Sequence, residues 1–161
     1  KEIKEQLLRS QEADRDELIA FIDELMKGRL VDLLMVVKKY YYHPYMKGSN
    51  SIKDVLPTIL NTSAVLKAKY GQPIGQIGLS SLNFDSSHCW LPAGVANPYK
   101  TLTNIQDGGA AMMAYARLMY TDIRDEERSE IQKSLLQYCE LDTLAMVMLY
   151  EHLVEVSMVE N

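Results

Sequence analysis

Leu135-Leu136-Gln137-Tyr138-Cys139-Glu140-Leu141-Asp142-Thr143-Leu144-Ala145-Met146 sits inside a longer run in which Ile131, Leu135, Tyr138, Asp142, Ala145 or Met146, Leu149, Leu153 and Val156 recur at steps of three and four. That spacing predicts one helix from about Asp125 to Val156 with these residues along a single face. Asp142 is the odd member of the stripe. A carboxylate in an apolar slot costs several kcal/mol, on the order of the burial penalty of a charge, unless a cation or hydrogen-bond donors meet it. Tyr138 lies one turn earlier, so its hydroxyl can project to the same place. Two readings stay open on spacing alone: a metal ligand with a tyrosine beside it, or Asp142 capping a second helix after a break before Thr143.

Working outward, Asp107-Gly108-Gly109 reads as a cap opening a helix with Ala111, Met112, Tyr115, Leu118 and Met119 as its apolar residues. Between Tyr70 and Asn104 the density of Gly, Pro, Ser and Asn rises without a sustained period, which predicts a long loop region. Ser51-Ile52-Lys53-Asp54-Val55-Leu56-Pro57 begins another helix, capped by Asn50 or Ser51. Pro44 forbids helix at His43, and the alternating tyrosines from Tyr40 to Tyr45 suit an extended segment. Arg29 to Val37 is an apolar run compatible with a buried strand passing into helix, which periodicity cannot decide. From Lys1 to about Lys27 the pattern is helical, divided in two by the polar run Gln11 to Asp16 and ended by Gly28.

With 161 residues, 47% hydrophobic and 24% charged, the chain has the composition of a folded domain. A single domain spanning 1–161 is the expectation. No apolar run is long enough for a membrane span and Lys1 to Glu5 lacks signal-peptide character, so no membrane partner and a cytoplasmic location are expected. Cys89 and Cys139 read as free cytosolic thiols, with no second pair for a zinc knuckle. His43, His88 and His152 are scattered, and His152 falls near the edge of the Asp142 face as a packing or surface residue. The net charge of −5 argues against nucleic-acid binding through overall charge, yet is compatible with an acidic metal site. Lys38, Lys39, Lys47 and Lys53 with Tyr40, Tyr41, Tyr42 and Tyr45 form a basic and aromatic patch suited to single-stranded nucleic acid, or to burial of the tyrosines in a core.

The Tyr138-Cys139-Glu140-Leu141-Asp142 string resembles the third exonuclease motif of DEDD-type, ribonuclease H-like 3′ to 5′ exonucleases, in the version with tyrosine four residues before aspartate. Arg29 to Leu34 is similar to the strand after that family's second motif, Ser51 to Leu56 to the next helix, and Asp107 to Ala111 to the start of the helix before the third motif. More closely, Ser51 to Pro57 and the Tyr138 to Met146 string resemble a bacterial family whose longer members carry a DEDD exonuclease-like domain. The resemblance covers most of residues 29 to 156.

It implies an α/β, ribonuclease H-like exonuclease fold, helix-rich because the N-terminal strands are missing. It also implies hydrolysis of phosphodiester bonds at DNA or RNA 3′ ends, Asp142 as a ligand of Mg²⁺ or Mn²⁺, and Tyr138 as the catalytic residue orienting water. The chain departs from the pattern: a complete site needs an Asp-x-Glu motif on the first strand and a second motif of the kind Asn-x-x-x-Phe/Tyr-Asp ahead of the matched region, and residues 1 to 28 are helical and offer no strand with Asp-x-Glu. Asp14-Arg15-Asp16 and Asp23-Glu24 read as solvated helix surface, and Asp32 as support rather than a ligand. Two metals need several carboxylates, so the chain alone is expected to be an inactive C-terminal part of a longer exonuclease domain, or a non-catalytic helical binding module.

Overall fold

The computed structural model describes residues 2–9, 14–27 and 31–159. These divide between Tyr40 and Tyr41 into two compact units. Among the described residues the regular structure is helical and no strand forms; an isolated antiparallel bridge joins Pro73 and Cys89. The fold is therefore α-rich.

The first unit holds α1 (Glu2–Arg9), α2 (Arg15–Lys27) and α3 (Leu33–Tyr40). α1 packs on α2, whose described residues include none that is buried. Asp14 and Asp16 are exposed, and Arg15 pairs with Asp16 at 2.9 Å, the solvated surface their sequence suggests. Gly28, Arg29 and Leu30 and the polar run around Gln11 lie outside the described residues. Where the apolar run from Val31 permitted a strand, the chain instead turns helical at Leu33, for a local reason. Asp32 accepts the Leu34 amide on its carboxylate at 2.9 Å and the Met35 and Val36 amides on its carbonyl, which is the action of an N-cap.

The second unit begins with Tyr41. The expected extended tyrosine ribbon is short: after Tyr41–His43 the chain enters a 3-10 turn, Pro44–Met46, with the His43 ring accepting the Tyr45 amide. Tyr42 and Tyr45 are exposed, as is Tyr40 at the end of α3. Helix α4 (Ile52–Thr62) starts at Ser51, whose side chain caps it, and carries Val55, Leu56, Ile59 and Leu60 into the core. Ser63 ends α4 and caps α5 (Ala64–Tyr70).

The segment from Gly71 to Gln106 is largely irregular, as its composition predicts, with 3-10 turns at Ile74–Gln76 and Pro98–Thr101. It still supplies Ile74, Trp90, Leu91, Tyr99, Leu102 and Ile105 to the core. α6 (Gly108–Tyr120) begins at the Asp107 cap and packs along α7 (Asp125–Val159), which is continuous through Asp142. The reading of Asp142 as the cap of a second helix therefore fails: no break occurs, and the Thr143 hydroxyl bonds back to the Cys139 carbonyl at 2.9 Å. The buried line of α7 is Tyr138, Leu141, Ala145, Met148, Leu149 and His152. It is rotated from the predicted stripe, leaving Met146 and Val156 exposed. No described helix is long and apolar enough to cross a membrane.

Candidate functional site

Four elements bring polar side chains together around the middle of α7. Tyr138 and Asp142 are separated by one helical turn, about 40° around the axis. From the first turn of α4, the Lys53 ammonium donates to the Tyr138 hydroxyl at 2.8 Å. The same ammonium lies 4.6 Å from the ring centres of both Tyr138 and Tyr99, so two aromatic faces contribute attraction to the cation.

Tyr99 is placed by its own turn. Asn97 accepts the Tyr99 amide at 3.0 Å and Pro98 occupies the first position, fixing the start of the 3-10 turn. The Tyr99 hydroxyl then donates to Asp142 Oδ1 at 2.7 Å. Burial and this bond to the Asp142 carboxylate hold the Tyr99 phenol well above its ordinary pKa, which keeps it a neutral donor. Asp107 closes the fourth side at the start of α6. Its carboxyl is lowered first by the Ala110 amide, with the charges of Lys53 and Lys100 helping. A methyl group built on Gly108 would come 3.7 Å from the Tyr138 hydroxyl, which places that hydroxyl beside the first turn of α6.

Chemically, the cluster holds a half-buried carboxylate with one oxygen engaged and a phenol whose oxygen accepts from a lysine. It does not make a two-metal centre by itself. Among the described residues no group of three or more His, Cys, Asp or Glu side chains is gathered closely enough to hold an ion.

Of the residues singled out in the sequence, Tyr138, Asp142 and Lys53 are brought together; the three histidines are not. His43 caps the Pro44–Met46 turn, His88 stacks on Phe84 at 4.3 Å, and His152 is buried edge-on to Tyr41. Cys89 and Cys139 are both free thiols. Sequence reading missed Tyr99. Its local signal was the Asn97-Pro98 turn opener, but nothing local ties it to a residue 43 positions away. An apolar hollow of about 390 Å³ on the far side of α7, lined by Leu82, Trp90, Glu140 and Val147 among others, includes neither Tyr138 nor Asp142.

Compared with protein-family models, curated proteins and solved structures, the chain matches none of them.

Proposed function

We propose that this chain is the helix-rich C-terminal part of a ribonuclease H-like, DEDDy-type 3′ to 5′ exonuclease domain that hydrolyses phosphodiester bonds at DNA or RNA 3′ ends. The observation that carries the reading is the convergence of Tyr138 and Asp142, one turn apart, on a common polar cluster held by Lys53 and Tyr99. In this reading Asp142 is one ligand of Mg²⁺ or Mn²⁺, the remaining carboxylates come from a longer form of the protein, and Tyr138 positions the attacking water. The exposed face of α6 agrees with such a larger domain. α6 has no buried residue and carries Met112, Met113, Tyr115, Met119 and Tyr120 at the surface, the kind of apolar face that a further layer covers.

A second reading is a non-catalytic helical module that binds protein or nucleic acid. One observation favours it: both polar ends of the motif already have partners inside the chain, Tyr138 with Lys53 and Asp142 with Tyr99. Mn²⁺-dependent degradation of a 3′-labelled single strand separates the two. The longest natural form should degrade it, its Asp142→Asn variant should not, and the present chain alone should be inactive. No degradation by any form would leave the binding module.

A further inference from the structure

A polar cleft of about 560 Å³ adjoins the site, with Tyr45, Lys47, Lys53, Asp54, Asn61 and Asn97 among its lining residues. Lys53 belongs to both, since it lines the cleft and its ammonium bonds Tyr138. The volume falls within the roughly 300–1,000 Å³ of sites that enclose one small-molecule-sized group. Its chemistry is uneven. Two lysines outweigh one aspartate there, although the whole chain carries a net charge of −5.

The side chains are poised for more than charge. The Tyr45 ring is 69% exposed, tilted against His43 at 4.9 Å, and therefore open for stacking. Asn61 uses its amide N–H on the Pro57 carbonyl and Asn97 uses its amide oxygen on the Tyr99 amide. That leaves an acceptor on Asn61 and donors on Asn97 for the edge of a base or a sugar. Lys47 sits in the left-handed region at φ 53°, where a side chain other than Gly or Asn carries a conformational cost and often serves a site. Its amide closes the Pro44–Met46 turn on the Pro44 carbonyl, which fixes Lys47 next to Tyr45.

We propose that this cleft binds the unpaired end of a single nucleic-acid strand, with phosphates on Lys47 and Lys53 and one base stacked on Tyr45. The inference rests on the exonuclease reading for its direction, towards Tyr138 and Asp142. The binding itself stands on the cleft. A cation pair plus an exposed aromatic ring is the arrangement that holds single strands without sequence preference. A duplex, with its bases stacked inside, has nothing to offer Tyr45.

The test is fluorescence anisotropy of a short labelled oligo(dT) with the full chain in EDTA, where no metal-dependent cleavage can interfere. Binding should weaken with salt at a log–log slope of about −1.4, as for roughly two phosphate contacts on a single strand. Lys47→Gln should lower the affinity at low salt and roughly halve that slope. Tyr45→Ala should weaken binding about tenfold with the slope kept. Both side chains are exposed, and an unchanged melting curve would show that each variant folds. Absence of binding, equal binding by both variants, or preference for the duplex would each overturn the proposal. Since EDTA removes metal-dependent cleavage from the measurement, failure here and failure of the Mn²⁺ degradation assay are separate results.

Discussion

The Tyr99 hydroxyl donates to Asp142 Oδ1 at 2.7 Å across 43 residues of sequence. It constrains the orientation of the carboxylate by engaging one of its two oxygens. Tyr99→Phe removes that bond and keeps the ring beside Lys53, so the expected loss of stability is about 1.5–3 kcal/mol, as for a hydrogen bond to a charged group. In an active long form the same change should lower cleavage by about 10- to 100-fold, as expected when the support of a metal-binding carboxylate is lost. Tyr99 would then act as a positioning residue, and a parallel shift in the Mn²⁺ concentration needed for half-maximal cleavage would distinguish this from a merely structural role. An unchanged metal dependence in a fully active variant would remove Tyr99 from the site.

Ser63 performs two tasks with one hydroxyl. Its oxygen accepts the Leu66 amide at 3.1 Å, capping α5, and its proton goes to Glu155 on α7 at 2.7 Å. Ser63→Ala loses the cap and leaves the Glu155 carboxylate without this donor. A loss of about 2.5–4 kcal/mol is expected, the sum of a typical cap and a hydrogen bond to a charged group. Ser63→Thr, which retains the hydroxyl, should recover most of it in urea denaturation. A variant as stable as the parent would show that the two bonds do not act in solution.

Much of the helical architecture was legible because its signals are local. Asp107, Ser51 and the long apolar period of the last helix each act within one or two turns, so the starts of α4, α6 and α7 follow from a few neighbouring residues. The face of α7 was read less well. Counting Leu153 and Val156 into a stripe ignores that the buried line turns with the partners it meets, here α4 and the Tyr99 segment, and Leu141 rather than Leu135 becomes fully buried. The apolar run before Val37 was ambiguous for a similar reason: Asp32 decides for helix, and a carboxylate in front of leucines looks the same in either context. The pairing of Tyr138 with Asp142 was visible at helical spacing, whereas the contacts with Lys53 and Tyr99 depend on tertiary placement, which no local pattern encodes.

Leu141 separates the chemistry from the packing. It is fully buried between Tyr138 and Asp142 in sequence, but it faces the core rather than the polar cluster. Leu141→Ala should cost about 2–5 kcal/mol through lost burial and the cavity left behind. The exposed Leu136 offers the comparison: Leu136→Ala on the same helix should stay within about 0.5 kcal/mol of the parent. Equal effects at the two positions in chemical denaturation would contradict the placement of the α7 face.

His152 makes the stability of the fold depend on pH. It is buried on α7, edge-on to Tyr41 at 5.4 Å, with Nδ1 3.5 Å from Glu155, whose carboxylate also receives the Ser63 hydroxyl. Burial holds the imidazole below its ordinary value of 6.5, and the Glu155 carboxylate only partly opposes this. The folded state therefore takes up a proton less readily than the unfolded chain. As pH falls below about 6.5, the unfolded chain binds the proton first and stability drops, levelling off only once the folded imidazole is also charged. His88, stacked on Phe84, is lowered by burial as well and acts in the same direction. Thermal melts should thus show a falling Tm from pH 7.5 to pH 5. His152→Gln should remove part of that slope, and the double variant with His88→Gln nearly all of it. A slope unchanged in the double variant would mean that other groups, such as the hydrogen-bonded carboxylates of Asp85 and Asp107, govern the pH response.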